Sequence, residues 1–351
     1  MTTYPSDNNT GRRSLMRGTA GLAALGAIVP FAPQRAGLVA AASAQPKEAS
    51  VFNHPGKHKG LALLGDKPLV AETPEHLLDD DTTPTDKFFV RNNGGMPDEA
   101  RDPDGWKISV EGEVNAKLEL TLGQLKQRFQ AQTHRMMMEC GGNGRSFFVP
   151  PGRGNQWTNG GAGCAEWTGV KLADVLAAAG LKDSAKFTGS WGTDPHLSGD
   201  PEKRAISRGN VLAKSMDPHT MIVWGMNGQA LTHLHGGPVR LLVPGWPGSL
   251  STKWLSNIVV RGTPHDGAGM GGTSYRVPVT PIVPGSSNDG KSFRDMEAMP
   301  IRSIVTSPAN GRGWRRGRGP WRCGGRLGAV RWGWRGSMSP RISGRRGSKL
   351  R

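Results

Sequence analysis

A single thiol, Cys140, stands in a motif whose residue types are suited to chemistry: Met-Glu-Cys-Gly-Gly-Asn-Gly-Arg at residues 138–145. The cysteine ends an apolar run, glycines follow that let backbone approach a large group closely, and Arg145 comes five positions later. A buried cysteine taken alone is more often a small, unreactive hydrophobe. The surrounding motifs favour a chemical role here, because polar loops also follow apolar runs at residues 88–94 and 235–240.

The two other motifs lie on either side of the cysteine in the sequence. Phe-Phe-Val-Arg-Asn-Asn-Gly lies upstream and places Arg91 forty-nine positions before Cys140. His-Gly-Gly-Pro-Val-Arg begins ninety-five positions after Cys140, and Pro-Gly and Lys-Trp-Leu follow at 244–245 and 253–255. Together the three motifs resemble the sulfite oxidase family of molybdenum–pterin enzymes over roughly residues 60–310, and among its members the periplasmic bacterial sulfite dehydrogenases.

This resemblance implies residues for the metal and the substrate. Cys140 matches the family's thiolate ligand to one molybdenum atom carried by a single molybdopterin, and a soft thiolate suits a metal that changes oxidation state. Arg91 and Arg145 match the arginines that bind sulfite, and guanidinium groups suit a small oxyanion better than ammonium groups do. Trp157 and Tyr275 match the tryptophan and tyrosine of the substrate pocket.

The same resemblance implies a set of pterin contacts. Asn92 and Asn93 follow Arg91 in the segment that the family uses to contact the pterin. Many relatives have histidine where Asn93 stands, so this chain keeps a hydrogen-bonding group and lacks a titratable one. His235 and Arg240 match contacts to the pterin and its phosphate, and Lys253 is predicted to join them.

The three cysteines, Cys140, Cys164 and Cys323, are few and odd in number for an exported protein built on disulfides. Cys164 is predicted to be structural, because the family usually has another residue type at its position. The chain has no Cys-x-x-Cys-His motif, so we expect no covalently attached haem. Electrons are then expected to pass to a separate periplasmic c-type cytochrome.

The N-terminus predicts export. Residues 1–44 contain the pair Arg12-Arg13, a mildly apolar stretch over Gly18–Phe31 and the sequence Ala-Ser-Ala ending at Ala44. This pattern is typical of a cleaved twin-arginine signal peptide, which carries proteins across the membrane already folded. The apolar stretch is too short to span a membrane, so we expect a periplasmic protein with no stable membrane anchor.

The formal charge of +17 invites a nucleic-acid-binding interpretation, but the charge is at the two ends. Residues 1–44 carry +3 and residues 312–351 carry +13, which leaves +1 for residues 45–311. A nearly neutral body argues against a nucleic-acid-binding domain. A non-enzymatic protein whose basic tail binds RNA or anionic lipid stays open as an alternative.

The pattern of apolar residues predicts an α+β fold, which agrees with the mixed β-sheets and short helices of a sulfite-oxidase-type molybdopterin-binding domain. Strands are predicted over 106–112, 134–138, 221–224, 239–243 and 253–260. Helices are predicted from a cap at Thr121 to about Phe129, and over 169–179 with Gly180 as the closing residue. Residues 45–85 are polar and are predicted to be an irregular surface arm, followed by the catalytic domain at 86–294.

Residues 295–311 resemble the start of the family's C-terminal immunoglobulin-like dimerisation domain, and the resemblance ends near Gly311. Residues 312–351 are rich in Arg, Gly and Trp and have no acidic residue. We expect this basic tail to be a reading-frame artefact or disordered, and the dimerisation domain to be truncated. Relatives are homodimers and take a further site arginine from that domain, so the chain as written predicts a weakened, monomeric or poorly stable enzyme.

Two further functions stay open within this interpretation. Another molybdopterin enzyme could reduce nitrate or a sulfoxide, although the paired arginines favour a small dianion and export disfavours nitrate assimilation. The chain could also be an inactive, truncated relative.

Overall fold

The computed structural model describes residues 52–271, 274–283 and 292–307, and the backbone of residues 321–327 and 330–336. The predicted signal peptide lies outside these ranges, as do residues 45–51 of the arm and the rest of the tail. The strands are β1 (Ala62–Asp66), β2 (Leu69–Glu72), β3 (Val90–Arg91), β4 (Lys107–Gly112), β5 (Leu118–Thr121), β6 (Gln132–Glu139), β7 (Ala162–Lys171), β8 (Phe187–Gly192), β9 (Ser207–Val211), β10 (Met221–Met226), β11 (Gln229–Ala230), β12 (Arg240–Leu242), β13 (Leu255–Arg261), β14 (Arg276–Pro278), β15 (Phe293–Asp295), β16 (Ser303–Ser307), β17 (Trp321–Leu327) and β18 (Val330–Gly336). The α-helices are α1 (Leu122–Arg128), α2 (Leu172–Ala179) and α3 (Leu212–Ser215), and 3-10 turns cover Glu75–Leu77, Arg145–Phe147, His233–His235 and Gly248–Leu250.

The described strands form separate sheets of mixed direction joined by short helices, so the predicted α+β fold is confirmed. One sheet has the order β5-β4-β13-β8-β9, in which β13 runs parallel to β4 and antiparallel to β8. A second has the order β11-β10-β7-β6, with β12 also paired to β10. Among the described residues, no helix has the length and apolar character needed to cross a membrane.

The largest core cluster lies where β4, β13 and β12 meet α1 and α2. The cap predicted for α1 is present in both directions: Gln124 N donates to Thr121 Oγ1 (3.1 Å), and Thr121 N donates to Gln124 Oε1 (2.9 Å). Leu172, Val175 and Leu176 lie on the buried face of α2, as their spacing predicts.

The start predicted for α2 is wrong by three residues. Gly169, Val170 and Lys171 belong to β7, where Gly169 pairs with Val223 of β10. A Cβ atom at Gly169 would lie 2.1 Å from the carbonyl oxygen of Ile222, so only glycine lets the strands approach this closely. Long-range strand pairing therefore overrides the local helical pattern.

The prediction of an irregular surface arm is wrong for the described part of residues 45–85. A hairpin of β1 and β2 packs on the core, and Val70 and Ala71 are fully buried. β3 extends this sheet by pairing with β2, and Val70 of β2 lies opposite Arg91 of β3. The hairpin therefore positions Arg91, the arginine of the upstream motif.

The C-terminal strands pair with one another as β16-β17-β18. We expected no regular structure in residues 312–351, whereas β17 and β18 form antiparallel strands there. On the other side, β16 contacts the 3-10 turn at Glu75–Leu77, and Thr306 Oγ1 donates to Asp79 Oδ1 (2.9 Å). The truncated immunoglobulin-like domain and the reading-frame artefact stay predictions.

Candidate active site

The three motifs meet at one cavity, although they are far apart in the chain. Its wall contains eight of the ten residues predicted for the site: Arg91, Asn92, Asn93, Cys140, His235, Arg240, Lys253 and Tyr275. Other residues of the wall are Phe88, Phe89, Met138, Asp194, Ile206, Gly248, Ser249, Ser251, Thr252 and Trp254.

Cys140 lies directly after β6, as its motif predicts, and is 8% exposed. Its backbone N–H donates to Gly161 O (2.8 Å), and its carbonyl oxygen accepts from Asn143 N (2.9 Å). Burial raises the pKa of the thiol, while the Gly142 N–H and the charges of Arg91 and Arg145 act in the opposite direction. A buried thiol of this kind ionises when a metal ion supplies the missing positive charge.

Arg91 enters the cavity from β3, and the next residue ties this strand to the opposite wall. Asn92 is 1% exposed, and its N–H donates to Leu69 O (3.0 Å). Its side-chain oxygen accepts a hydrogen bond from Lys253 Nζ (2.6 Å). Asn92 thus links the motif that contains Arg91 to the Lys-Trp-Leu motif.

Four buried or half-buried basic groups lie close together, and three of them line the cavity. Lys253 Nζ also donates to Leu234 O (2.7 Å), and Arg240 donates to His235 O (2.8 Å) and Ser251 O (2.6 Å). Lys57, which the sequence analysis missed, places Nζ 3.0 Å from His235 Nε2. This basic cluster of Lys57, His235, Arg240 and Lys253 is an anion site by its charge.

Burial shifts the pKa of every member of the basic cluster downward. It lowers the pKa of Arg240 to about 9 and that of Lys57 to about 7. It also lowers the pKa values of Lys253 and His235 well below their ordinary ranges, and in both cases neighbouring cations add to the effect. A bound anion would reverse these shifts, because it stabilises the protonated forms.

Asp194 is the carboxylate among the residues of the cavity wall, and the sequence analysis missed it. Burial raises its pKa to about 6, and the charge of Lys253 acts in the opposite direction. A single aspartate in a polar loop has no spacing that distinguishes it from surface acids. In the structure it supplies an acceptor for an N–H-bearing ligand.

Tyr275 adopts a left-handed backbone conformation (φ 54°) and lies on the cavity wall. The centre of its ring is 3.8 Å from the guanidinium carbon of Arg208, a third residue that the sequence analysis missed. Arg208 is 4% exposed and donates to Gly269 O (2.5 Å) and Ser249 Oγ (3.3 Å). Burial lowers the pKa of Arg208, and the stacked ring and carbonyl acceptors hold it behind the tyrosine.

Two predicted residues lie away from the cavity wall. Arg145 turns toward its own loop and donates to Asn155 O (2.9 Å), and a Cβ at Gly142 would lie 2.6 Å from its guanidinium. Trp157 is completely buried, with its ring edge-on to Phe89 at 5.8 Å, so it supports the wall from behind. Packing of the loop at residues 141–157, which the motif alone does not specify, decides both orientations.

Residues 93–268 match the family described as the oxidoreductase molybdopterin binding domain, which covers half of the chain. The chain belongs to the molybdopterin-binding oxidoreductases of the sulfite oxidase family. The match spans the cysteine motif, the histidine–arginine motif and most strands that carry the cavity wall.

Known relatives agree with this assignment. A sulfite oxidase of Gallus gallus is 31% identical over 263 residues, which are 73% of this chain and 56% of the relative. An NADPH nitrate reductase of Pichia angusta is 33% identical over 216 residues, 59% of this chain and 24% of that protein. The sulfane dehydrogenase SoxCD of Paracoccus pantotrophus superposes with a TM-score of 0.63 and 26% identity, covering 87% of this chain and 73% of that one. The chain thus spans about half the length of the sulfite oxidase it matches.

The site of this molybdopterin-binding domain fits the cofactor in charge and donor type. Among the described residues, Arg240 Nε is a buried donor with no hydrogen-bond partner, and it belongs to the basic cluster. A phosphate would satisfy such a donor and offset the buried positive charge. Cys140 supplies a soft ligand on the same cavity wall, as a molybdenum centre requires.

Proposed function

We propose that this protein oxidises sulfite to sulfate in the periplasm, at one molybdenum atom carried by a single molybdopterin. The observation that supports this most strongly is that Cys140, Arg91 and three members of the basic cluster, His235, Arg240 and Lys253, line one cavity. The molybdopterin-binding domain and the similarity to a sulfite oxidase also support it. The net reaction converts sulfite and one water into sulfate, two protons and two electrons.

Each wall of the cavity would then hold one part of the cofactor. The Cys140 thiolate would bind the metal, and the basic cluster with Arg240 Nε would bind the phosphate. Asp194 would accept hydrogen bonds from N–H groups of the pterin. The bound cofactor would supply the oxygen-atom transfer and take up the two electrons.

Arg91 would bind and orient the substrate, and Arg145 would act through its charge. Arg91 lies on the cavity wall beside Cys140, where its guanidinium can hold a sulfite oxygen. Arg145 adds positive charge near the thiol, which favours both the thiolate and an approaching dianion. Tyr275, stacked on Arg208, would border the same anion with its hydroxyl.

The periplasmic location is proposed from the twin-arginine pattern of residues 1–44. In this setting two single-electron transfers to a separate c-type cytochrome would complete each cycle. The chain has no Cys-x-x-Cys-His motif for a covalent haem of its own, which supports an external acceptor.

The test begins with molybdenum and pterin per chain in protein purified from a host that makes the cofactor. We expect about one of each in the wild type and in Cys164→Ser, and almost no molybdenum in Cys140→Ser. Equal molybdenum in both serine variants would contradict Cys140 as the ligand.

The substrate is tested on the same preparation. Sulfite with oxidised cytochrome c should give turnover, and nitrate or a sulfoxide with a reduced dye should give none. Turnover of nitrate alone would favour the activity named for the Pichia angusta relative, and turnover of sulfane sulfur alone would favour that of SoxCD. Either result would overturn sulfite as the substrate.

A further inference from the structure

Arg302, in the segment that follows the catalytic domain, contacts the loop that carries Cys140. One nitrogen of its guanidinium, Nη1, donates to Glu139 Oε1 and to Asn143 O, both at 3.0 Å. The other, Nη2, donates to Asn159 Oδ1 (2.8 Å). Glu139 and Asn143 lie on either side of Cys140 in the chain, and Asn159 lies in the loop before β7.

The hydrogen bonds within the loop connect these acceptors to the cysteine itself. Asn143 Nδ2 donates to Glu139 Oε1 (3.0 Å), and Asn143 Oδ1 accepts from Gly161 N (3.0 Å). Gly161 O in turn accepts from Cys140 N (2.8 Å). This route joins the guanidinium of Arg302 to the backbone of Cys140 through three hydrogen bonds. A shorter route has two, because Asn143 N also donates to Cys140 O (2.9 Å).

The loop is shaped to receive this arginine. Gly144 has a φ of 82°, and a Cβ at this position would lie 2.9 Å from Arg302 Nη2. Glu139 is 8% exposed, and its salt bridge to Arg302 and the hydrogen bond from Asn143 compensate its charge. Without the guanidinium, a nearly buried carboxylate would lose its counter-ion and the Asn143 carbonyl would lose a donor.

We propose that Arg302 is a positioning residue for Cys140, which holds the metal-binding loop in place from outside the matched molybdopterin-binding domain. The proposal rests on the role of Cys140 as the metal ligand. It makes the segment at residues 299–307 a component of the active site, and it predicts that the loop loosens before the rest of the domain does when Arg302 is removed.

The experiment measures how fast iodoacetamide alkylates Cys140 in the metal-free, full-length protein, with the modified peptides quantified by mass spectrometry. The variants are Arg302→Met, Arg302→Lys and a control, Arg294→Met, which removes an exposed arginine of β15. In Arg302→Met we expect Cys140 to be alkylated about tenfold faster than in the wild type, by more than the fall in the free energy of global unfolding accounts for, because local opening exposes the loop.

The lysine variant separates charge from geometry. Its ammonium can pair with Glu139 but cannot reach three acceptors in one plane, so an intermediate rate for Cys140 is expected. Arg294→Met should alkylate at the wild-type rate. A wild-type rate in Arg302→Met would overturn the proposal. A rise at Cys140 that matches the fall in the free energy of global unfolding, measured with urea, would also overturn it, since that result indicates general unfolding.

A second measurement uses the molybdenum-loaded protein. Arg302→Met should lose molybdenum faster than Arg294→Met during dialysis, and equal losses would contradict the positioning role. The alkylation rates need no metal, so they stay decisive if Cys140→Ser still binds molybdenum and the proposed function fails.

Discussion

Replacing Lys57 with methionine should remove a strong pH dependence of stability from the metal-free protein. Lys57 Nζ donates to Thr85 O (2.5 Å) and Phe88 O (2.7 Å) and lies 3.0 Å from His235 Nε2. Burial lowers its pKa from 10.5 to about 7, with partial compensation from Asp86. Burial therefore disfavours the protonated form of Lys57 in the folded protein, because water solvates the ammonium group better.

The direction of the pH effect on stability follows from the number of protons that the folded and unfolded states bind. Between pH 7 and 10.5 the unfolded chain keeps the Lys57 proton while the folded protein has lost it, so raising the pH stabilises the fold. The shift corresponds to roughly 5 kcal/mol as an upper limit, because each pKa unit is worth about 1.4 kcal/mol. Relaxation of the protein and penetration of water reduce this, so we expect about 2 kcal/mol between about pH 7 and about pH 9.5.

Urea unfolding of the metal-free protein measures the effect. The free energy of unfolding of Lys57→Met is subtracted from that of the wild type at each pH, which cancels groups common to both. Lys59→Met is the matched control, since Lys59 is exposed and two positions away. The difference should rise with pH for Lys57→Met and stay flat for Lys59→Met.

A flat difference for Lys57→Met between about pH 7 and about pH 9.5 would refute the lowered pKa and the buried charge behind it. The same series on cofactor-loaded protein adds a second check. A bound phosphate should stabilise protonated Lys57 and make the difference in free energy of unfolding rise less with pH, because the anion places negative charge near the ammonium group. An unchanged rise would argue against phosphate near the basic cluster.

Three smaller effects should accompany this one. Burial raises the pKa of Asp194 from 3.8 to about 6, so the free energy of unfolding of the metal-free wild type minus that of Asp194→Asn, measured with urea, should fall as the pH rises through this window, and a flat difference would contradict the raised pKa. Thr121→Ala should cost about 1 kcal/mol in urea unfolding, because the capping box with Gln124 is lost, and an unchanged midpoint would contradict this. Cys164→Ala should lower the free energy of unfolding by about 1 kcal/mol and leave the molybdenum content unchanged, whereas loss of metal would assign Cys164 a role in the site.

Local patterns in the sequence were sufficient to predict the principal elements. The strand before Cys140, the cap at Thr121 and the buried face of α2 are all confirmed, because each depends on neighbours within a few residues. The start of α2 was wrong, since strand pairing to β10 is a long-range interaction that local propensity does not contain.

The sequence by itself determined the family, the fold class and eight of the eighteen residues of the cavity wall, because the three motifs keep glycine, cysteine and arginine at characteristic spacings. Only the tertiary structure assigned places to Lys57, Asp194, Arg208 and Arg302. Each of these is a charged residue outside the three motifs, where no spacing in the sequence distinguishes a buried or bound group from a solvated one. Their burial, and with it their shifted pKa values or their hydrogen bonds to the Cys140 loop, exists only after distant segments pack together.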